Sequence, residues 1–329
     1  MMNSYGNLFK VTLYGESHQK AIGIVIDGMP PGIKIDETKI KNDLLKRQSG
    51  AIGTTARKEM DQFEITSGVF NGYSTGSPIH LMIENKDVQS KDYEHLKKQP
   101  RPGHADFVAQ KKYNGFQDFR GGGRFSGRLT APLVAAGAIA KMILPFEFQH
   151  ELIKVGSLTD MSKLDHYLEE IIKKGDSVGG VIELTVKNLN IGLGEPFFNK
   201  LDSEIGKMMF SIPAVKGVEI GTGFSGLSML GSEFNDEIID ENGYTKTNHS
   251  GGISGGLSNG NDLIIKVFIK PTSSIQQKQQ TYNFESKQVA DLEIGGRHDV
   301  CIARRVGIVL ENSLAIVLAD LYLLNKVYQ

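Results

Sequence analysis

Four of the eight histidines stand in short loops among glycine, serine and charged residues: His18, His104, His249 and His298. A loop imidazole beside arginines suits general-acid chemistry, because its proton moves near neutral pH. His80, His95, His150 and His166 stand in ordinary strand or helix contexts and read as structural. No pair has the spacing of a helical zinc motif, so a metal is not expected. Asp299 follows Arg297 and His298, and either an ion-pair role or a base role fits it.

The second kind of chemistry is anion binding. Arg120-Gly121-Gly122-Gly123-Arg124-Phe125-Ser126-Gly127-Arg128 places three guanidiniums and four glycines directly before an apolar segment from Ala131 to Leu144. A glycine loop feeding a helix N-terminus offers unpaired N–H groups and a positive dipole end, and the arginines add permanent bidentate donors. Thr130 suits the N-cap of that helix, Pro132 its first turn and Pro145 its stop. The absence of a Gly-Lys-Ser/Thr ending excludes a P-loop. A second phosphate-type loop, Lys270-Pro271-Thr272-Ser273-Ser274, follows a strand predicted over Leu263 to Ile269. Together these loops point to an enzyme acting on a phosphorylated, carboxylated small molecule beside a phosphorylated cofactor.

These loops need elements to position them. Strands are predicted over Leu8 to Tyr14 and Ala21 to Asp27, with Gly15-Glu16-Ser17-His18 between them. Asp36 reads as the N-cap of a helix through Leu45, with Ile40, Leu44 and Leu45 on its inner face and Lys46-Arg47 at its end. Strands over Phe63 to Phe70 and Ser77 to Ile83 flank the turn pair Asn71-Gly72. Arg101-Pro102-Gly103-His104-Ala105-Asp106 forms a rigid turn within reach of the arginine loop. Strands over Val178 to Val186 and Val215 to Gly221, and helices over Asp202 to Phe210 and Ala303 to Asn325, complete the pattern. No linker divides the chain and strict βαβ alternation is absent, so the expectation is one α+β domain over residues 1–329.

Composition narrows the class. The chain has 329 residues, a formal net charge of -1 and a single cysteine, Cys301. No global field recruits nucleic acid or an acidic membrane surface, and a disulfide framework is excluded. A buried helix is favoured over a membrane span for Val306 to Leu324, which carries Glu311, Asn312 and Asp320. A cytoplasmic enzyme is expected. A phosphotransferase would need carboxylates set for Mg²⁺, and a nucleic-acid module a basic face; neither is evident.

Six segments stand collinear in this chain: Gly15-Glu16-Ser17-His18, Arg101 to Asp106, Phe119 to Arg124, Asn248-His249-Ser250-Gly251-Gly252-Ile253, Lys270 to Ser274, and Gly296-Arg297-His298-Asp299. This set resembles the chorismate synthase family across essentially the whole chain. The resemblance implies a lyase that eliminates phosphate from 5-enolpyruvylshikimate 3-phosphate in a 1,4-anti sense, with reduced FMN and no net redox change. It implies a homotetramer whose core is a β-α-β sandwich of antiparallel sheets. By motif it assigns Arg124, Phe125, Ser126, Pro213, Ala214, Gly255, Lys270, Pro271, Thr272, Ser273, Ser274 and Arg297 to the FMN site. Ser17, Arg47, Arg101 and Arg128 are assigned to the substrate. His18 would protonate the departing phosphate, His104 the reduced flavin, and Asp299 would assist deprotonation at the flavin. Whether NADPH or an external reductase reduces the flavin stays open. Gln19, Phe125, Gly127 and Leu129 depart from the residues usual in the family, and its arginine run after the first helix is here only Lys46-Arg47.

Overall fold

The computed structural model describes residues 3–55, 61–86, 96–295 and 298–327. Two antiparallel sheets carry most of the strands. The first has the order Ser4–Tyr5 (β1), Lys10–Gly15 (β2), Ala21–Asp27 (β3), Ile79–Glu84 (β7), Phe63–Ser67 (β4). Between β4 and β7, Val69–Phe70 (β5) and Tyr73–Ser74 (β6) form a small hairpin. Its turn is the expected Asn71-Gly72, both at positive φ. The strand expected to run on to Phe70 breaks at Gly68, where an added Cβ would lie 2.6 Å from the Ile79 Cα. The second sheet has the order Val215–Ile220 (β10), Leu263–Ile269 (β13), Gly180–Lys187 (β9), Glu147–Val155 (β8). Two further ribbons pair Ile253–Ser254 (β11) with Leu257–Ser258 (β12), and Gln279–Asn283 (β14) with Gln288–Leu292 (β15).

Helices Glu37–Arg47 (α1), Asp106–Lys112 (α2), Thr130–Ala140 (α3), Leu164–Lys173 (α4), Leu201–Ser211 (α5), Gly231–Phe234 (α6) and Ala303–Asn325 (α7) complete the fold. α3 is apolar all round and α7 nearly so, and both are buried, as such helices must be. α3 packs on α1, α7 and the strands β2, β3 and β7, whereas α7 packs on α5, β8 and β9. The two helices cross where Gly137 meets Asn312; a Cβ there would sit 2.2 Å from the Asn312 carbonyl oxygen. One cluster of buried apolar side chains runs from Phe9 to Leu321. α7 is long and apolar enough to cross a membrane, yet 89% of its most apolar window is buried inside the protein. The result is a mixed helix and sheet protein with several antiparallel sheets, as the α+β expectation required.

Local expectations fare unevenly. Asp36 caps α1, accepting from the Thr38 and Lys39 N–H groups. Ile40 and Leu44 are buried, but Leu45 is 58% exposed and Arg47 takes its place inside. Thr130 does not cap α3. Two 3₁₀ turns, Arg120–Phe125 and Gly127–Leu129, lead into the helix, and the Thr130 hydroxyl donates back to the Gly127 carbonyl at 2.7 Å. The helix therefore starts one residue earlier, from a 3₁₀ lead-in that already satisfies part of the first turn. The α2 helix was not expected, because Asp106 reads in sequence as part of the preceding turn.

Candidate active site

Gly121, Gly122 and Gly123 all have positive φ and break the turn between Arg120 and Arg124. Their lack of side chains lets two imidazoles approach the same strip of backbone. A Cβ on Gly121 would stand 2.4 Å from Cδ2 and Nε2 of His18 and 2.9 Å from the Ser17 hydroxyl. A Cβ on Gly122 would stand 3.5 Å from Cε1 of His104 and 3.6 Å from its Nε2. The β2–β3 connection reaches this strip because Ser17 N–H donates to the Gly123 carbonyl at 3.3 Å. Ser17 and His18 are buried. Gln19 donates to Asp118 at 2.9 Å, and Asp118 in turn holds the Arg120 guanidinium. That tie links the His18 loop to the glycine turn.

His104 is held by its own segment. Its Nδ1 lies 2.6 Å from Asp106 Oδ1, and Arg101 Nη2 lies 3.0 and 3.1 Å from its two ring nitrogens. Arg101 also donates through its backbone N and Nε to Asp106 Oδ2, and through Nη1 to the Ser274 hydroxyl at 3.1 Å. Burial pushes the Asp106 carboxyl up, but hydrogen bonds from Arg101 and His104 outweigh it and hold the group well below the usual carboxylate range. His298 lies near this cluster and donates through Nε2 to the Gly295 carbonyl, 3.2 Å away. Burial first, then the positive charges of Arg101 and His104, pull its pKa down.

The phosphate-type loop joins the same cluster. Lys270 Nζ donates to the Gly103 carbonyl at 2.9 Å, and the Ser273 hydroxyl donates to that carbonyl at 2.7 Å. Ser274 is buried against Arg101. Desolvation lowers the Lys270 pKa, with Lys216 adding to it. Thr272 Oγ1 is buried with no hydrogen-bond partner among the described residues. Pro271 is exposed at the head of the loop. Ala214 carries φ 73, a strained value for alanine, and its carbonyl accepts from the Lys270 N–H at 2.9 Å. The exposed Pro213 precedes it.

Arg47 and Arg128 meet at a carboxylate that the sequence did not single out. Asp61, whose side chain is fully buried, accepts from Arg47 Nη1 at 2.9 Å and from Arg128 Nη1. Arg47 Nε also donates to the Thr130 hydroxyl, and Arg128 Nε to Asn85 at 3.1 Å. Asn85 Nδ2 donates to the Glu16 carbonyl, closing a path back to the His18 loop. Asp61 carried no signal, because it belongs to none of the segments that read as chemical motifs.

Other assignments fall differently. Arg124 donates to the Leu13 and Gly15 carbonyls at 2.7 and 3.1 Å and to Asn3, so its guanidinium ties the glycine turn to β2. Phe125 is 38% exposed and lines a cleft with His104, Asp106, Gln117 and Phe119. Ser126 accepts from the Arg128 N–H. Asp299 accepts from the Thr55 N–H at 3.0 Å and from Arg305 at 2.6 Å, so among the described residues it has an ion-pair partner on α7. Arg297 lies outside the described residues, as does His95. Gly255 stands exposed at the tip of the β11–β12 hairpin, whose next residue, Gly256, accepts from the Leu201 N–H at the start of α5. His249 instead bonds Thr222 at 2.8 Å and stacks on Phe234. Among the described residues no group of three or more His, Cys, Asp or Glu could hold a metal ion.

The arrangement thus brings two imidazoles, several guanidiniums and a Lys-Thr-Ser turn around one glycine strip, which suits proton delivery to bound anions. The family model described as chorismate synthase matches residues 9–323. A chorismate synthase of Chitinophaga pinensis is 51% identical over 327 residues, covering 99% of this chain and 98% of that protein. One from Methanocaldococcus jannaschii is 41% identical over 364 residues, with 98% and 96% covered. A solved structure described as "Crystal Structure of Chorismate Synthase" superposes with a TM-score of 0.76 at 27% identity, covering 98% of this chain and 93% of that one. With the family pattern matched along nearly its whole length, the chain belongs to the chorismate synthase family.

Proposed function

We propose that this chain is a lyase that eliminates phosphate from 5-enolpyruvylshikimate 3-phosphate to give chorismate, the last shared step toward the aromatic amino acids, in a reaction that requires reduced FMN. The observation that carries the chemistry is the pair of imidazoles set against consecutive glycines, His18 at Gly121 and His104 at Gly122. When bound, reduced FMN supplies electron density to the allylic system and takes up the C6 hydrogen.

The residues present fit a phosphorylated cofactor. Thr272 Oγ1 is a buried polar atom without a partner among the described residues, and Lys270 and Ser273 stand beside it at a strand end. We assign Lys270, Pro271, Thr272, Ser273 and Ser274 to hold it, with Phe125, Ser126, Pro213, Ala214, Gly255 and Arg297. Arg124 shapes that site through its hold on β2. Ser17, Arg47, Arg101 and Arg128 bind and orient the anionic substrate. His18 gives a proton to the departing phosphate, and His104 holds a second transferable proton at Nε2. Asp299, oriented by Thr55 and Arg305, would assist deprotonation at the flavin.

The chain is further proposed to be one domain over residues 1–329, a β-α-β sandwich in which α3 and α7 lie between the two sheets. Phe197 and Phe198, 79% and 93% exposed, support a homo-oligomer, and a homotetramer is the state proposed. A cytoplasmic enzyme without nucleic-acid or membrane partners fits its net charge of -1. The test is anaerobic chorismate formation by the purified protein with chemically reduced FMN. Phosphate release without chorismate, or neither product, overturns the assignment.

A further inference from the structure

We propose that Asp106 is a positioning residue that fixes which nitrogen of His104 carries the transferable proton; this rests on the reading of His104 as an acid. Asp106 Oδ1 lies 2.6 Å from His104 Nδ1. An ionised carboxylate only accepts, so Nδ1 must carry a hydrogen and Nε2 is left to work. The Arg101 geometry is compatible with this tautomer. Its Nη2 is within 3.1 Å of both ring nitrogens, and with Nδ1 protonated toward Asp106 only Nε2 can accept from it. An imidazolium that releases its proton from Nε2 ends as the Nδ1–H form. That is the one tautomer Asp106 favours, so the carboxylate stabilises the state left after proton transfer.

Asp106 is itself fixed. Oδ2 accepts from the Arg101 backbone N at 3.1 Å and Nε at 2.8 Å, and Oδ1 accepts from Arg101 Nη2 at 2.9 Å. These bonds make Asp106→Asn an informative change. The amide oxygen is expected to keep the Oδ2 position, which faces two donors. The amide nitrogen then faces His104 Nδ1, which must become an acceptor and move the ring hydrogen to Nε2. Arg101 keeps its backbone and Nε contacts to the Oδ2 position and loses only the Nη2 contact to Oδ1, so substrate binding is expected to change less than proton delivery from Nε2, which becomes unfavourable.

The first readout uses the protein without flavin or substrate: side-chain ¹⁵N spectra of the neutral histidines, with His104 assigned from His104→Ala. The parent is expected to show the Nδ1–H tautomer and Asp106→Asn the Nε2–H tautomer. The second readout is turnover with reduced FMN, where Asp106→Asn is expected to lose about 10²-fold or more in kcat with KM within a few fold. An Nε2–H ring in the parent, or an Nδ1–H ring in Asp106→Asn, overturns the positioning role. So does a switched tautomer with parental turnover, provided His104→Ala is impaired. Full turnover by His104→Ala instead overturns the reading of His104 as an acid, whatever the tautomer. Asp106→Ala is the second variant; a mixed or Nε2–H ring supports the proposal, and a retained Nδ1–H ring overturns it.

Discussion

Substituting Gly121 by alanine is the sharpest single perturbation of the site. The new Cβ would stand 2.4 Å from two atoms of the His18 ring, where carbon contacts normally settle at about 3.5–4.0 Å. The imidazole must therefore retreat by about 1 Å, and its burial leaves it little room to do so. A 1 Å misplacement of a catalytic group costs about 10²-fold in rate. The φ of +57° adds a separate backbone cost of about 1–2 kcal/mol for a side-chain-bearing residue. Gly122→Ala is the matched control. It has the same kind of backbone cost at φ +79°, but its Cβ meets His104 at 3.5 Å, an ordinary contact. Both variants should lose a few degrees in Tm, at about 2–4 °C per kcal/mol for a chain of this order of size. Only Gly121→Ala should lose about 10²-fold in kcat, measured anaerobically with chemically reduced FMN. Equal losses of turnover in the two variants, or parental turnover in Gly121→Ala, would refute the steric argument and with it the placement of His18.

Further outcomes follow from particular contacts. Asp61→Ala leaves the Arg47 and Arg128 guanidiniums without their shared buried carboxylate and is expected to cost about 3–5 kcal/mol in denaturant unfolding. Arg124→Ala frees the Leu13 and Gly15 carbonyls, so a lowered Tm should accompany any loss of flavin affinity; an unchanged Tm would remove its structural role. The Glu311 pKa falls from the ordinary 4.5 to about 2: burial raises it, but the hydrogen bonds and charges of His150 and Lys141 outweigh that. A depressed carboxylate adds stability that is fully present above pH 4.5 and lost as pH falls toward 2. Glu311→Gln should therefore flatten the stability–pH curve in that window, worth roughly 3 kcal/mol at most. Sedimentation at micromolar concentration should give a tetramer mass, and a monomer mass would reject the proposed assembly.

How much of this was legible in the sequence depends on the distance over which each interaction acts. Capping of α1 by Asp36, the Asn71-Gly72 turn and the apolar runs of β3, β13 and α7 are local facts, and each was readable from neighbouring residues. The glycines of the Arg120–Arg124 turn were legible as a special backbone, because three successive glycines imply conformations other residues avoid. Their actual purpose, clearance for His18 and His104, depends on chain segments about a hundred and about twenty residues away. Asp61 was invisible for the same reason: its partners Arg47 and Arg128 lie 14 and 67 positions away. Arg124 shows the same reach from the other side. A guanidinium in a glycine loop reads as an anion ligand, and its donation to the Leu13 and Gly15 carbonyls of β2, more than a hundred residues away, was not readable.

The pairing of the arginines says how such a site can hold anions without collapsing. Arg101 is held by Asp106, Arg120 by Asp118, Arg305 by Asp299, and Arg47 with Arg128 by Asp61. Left unpaired, so many buried or half-buried cations would repel one another and carry a large desolvation cost. Each carboxylate lowers that cost and also fixes its guanidinium in one rotamer, so an arriving anion need not order the side chain itself. The same pairing weakens the field that an anion meets. Affinity must then come from directed N–H groups and hydroxyls, such as those of the Lys270–Ser274 turn, more than from net charge. A site built in this way should bind its substrate with a shallow dependence on ionic strength, because the local charges are largely balanced before the anion enters.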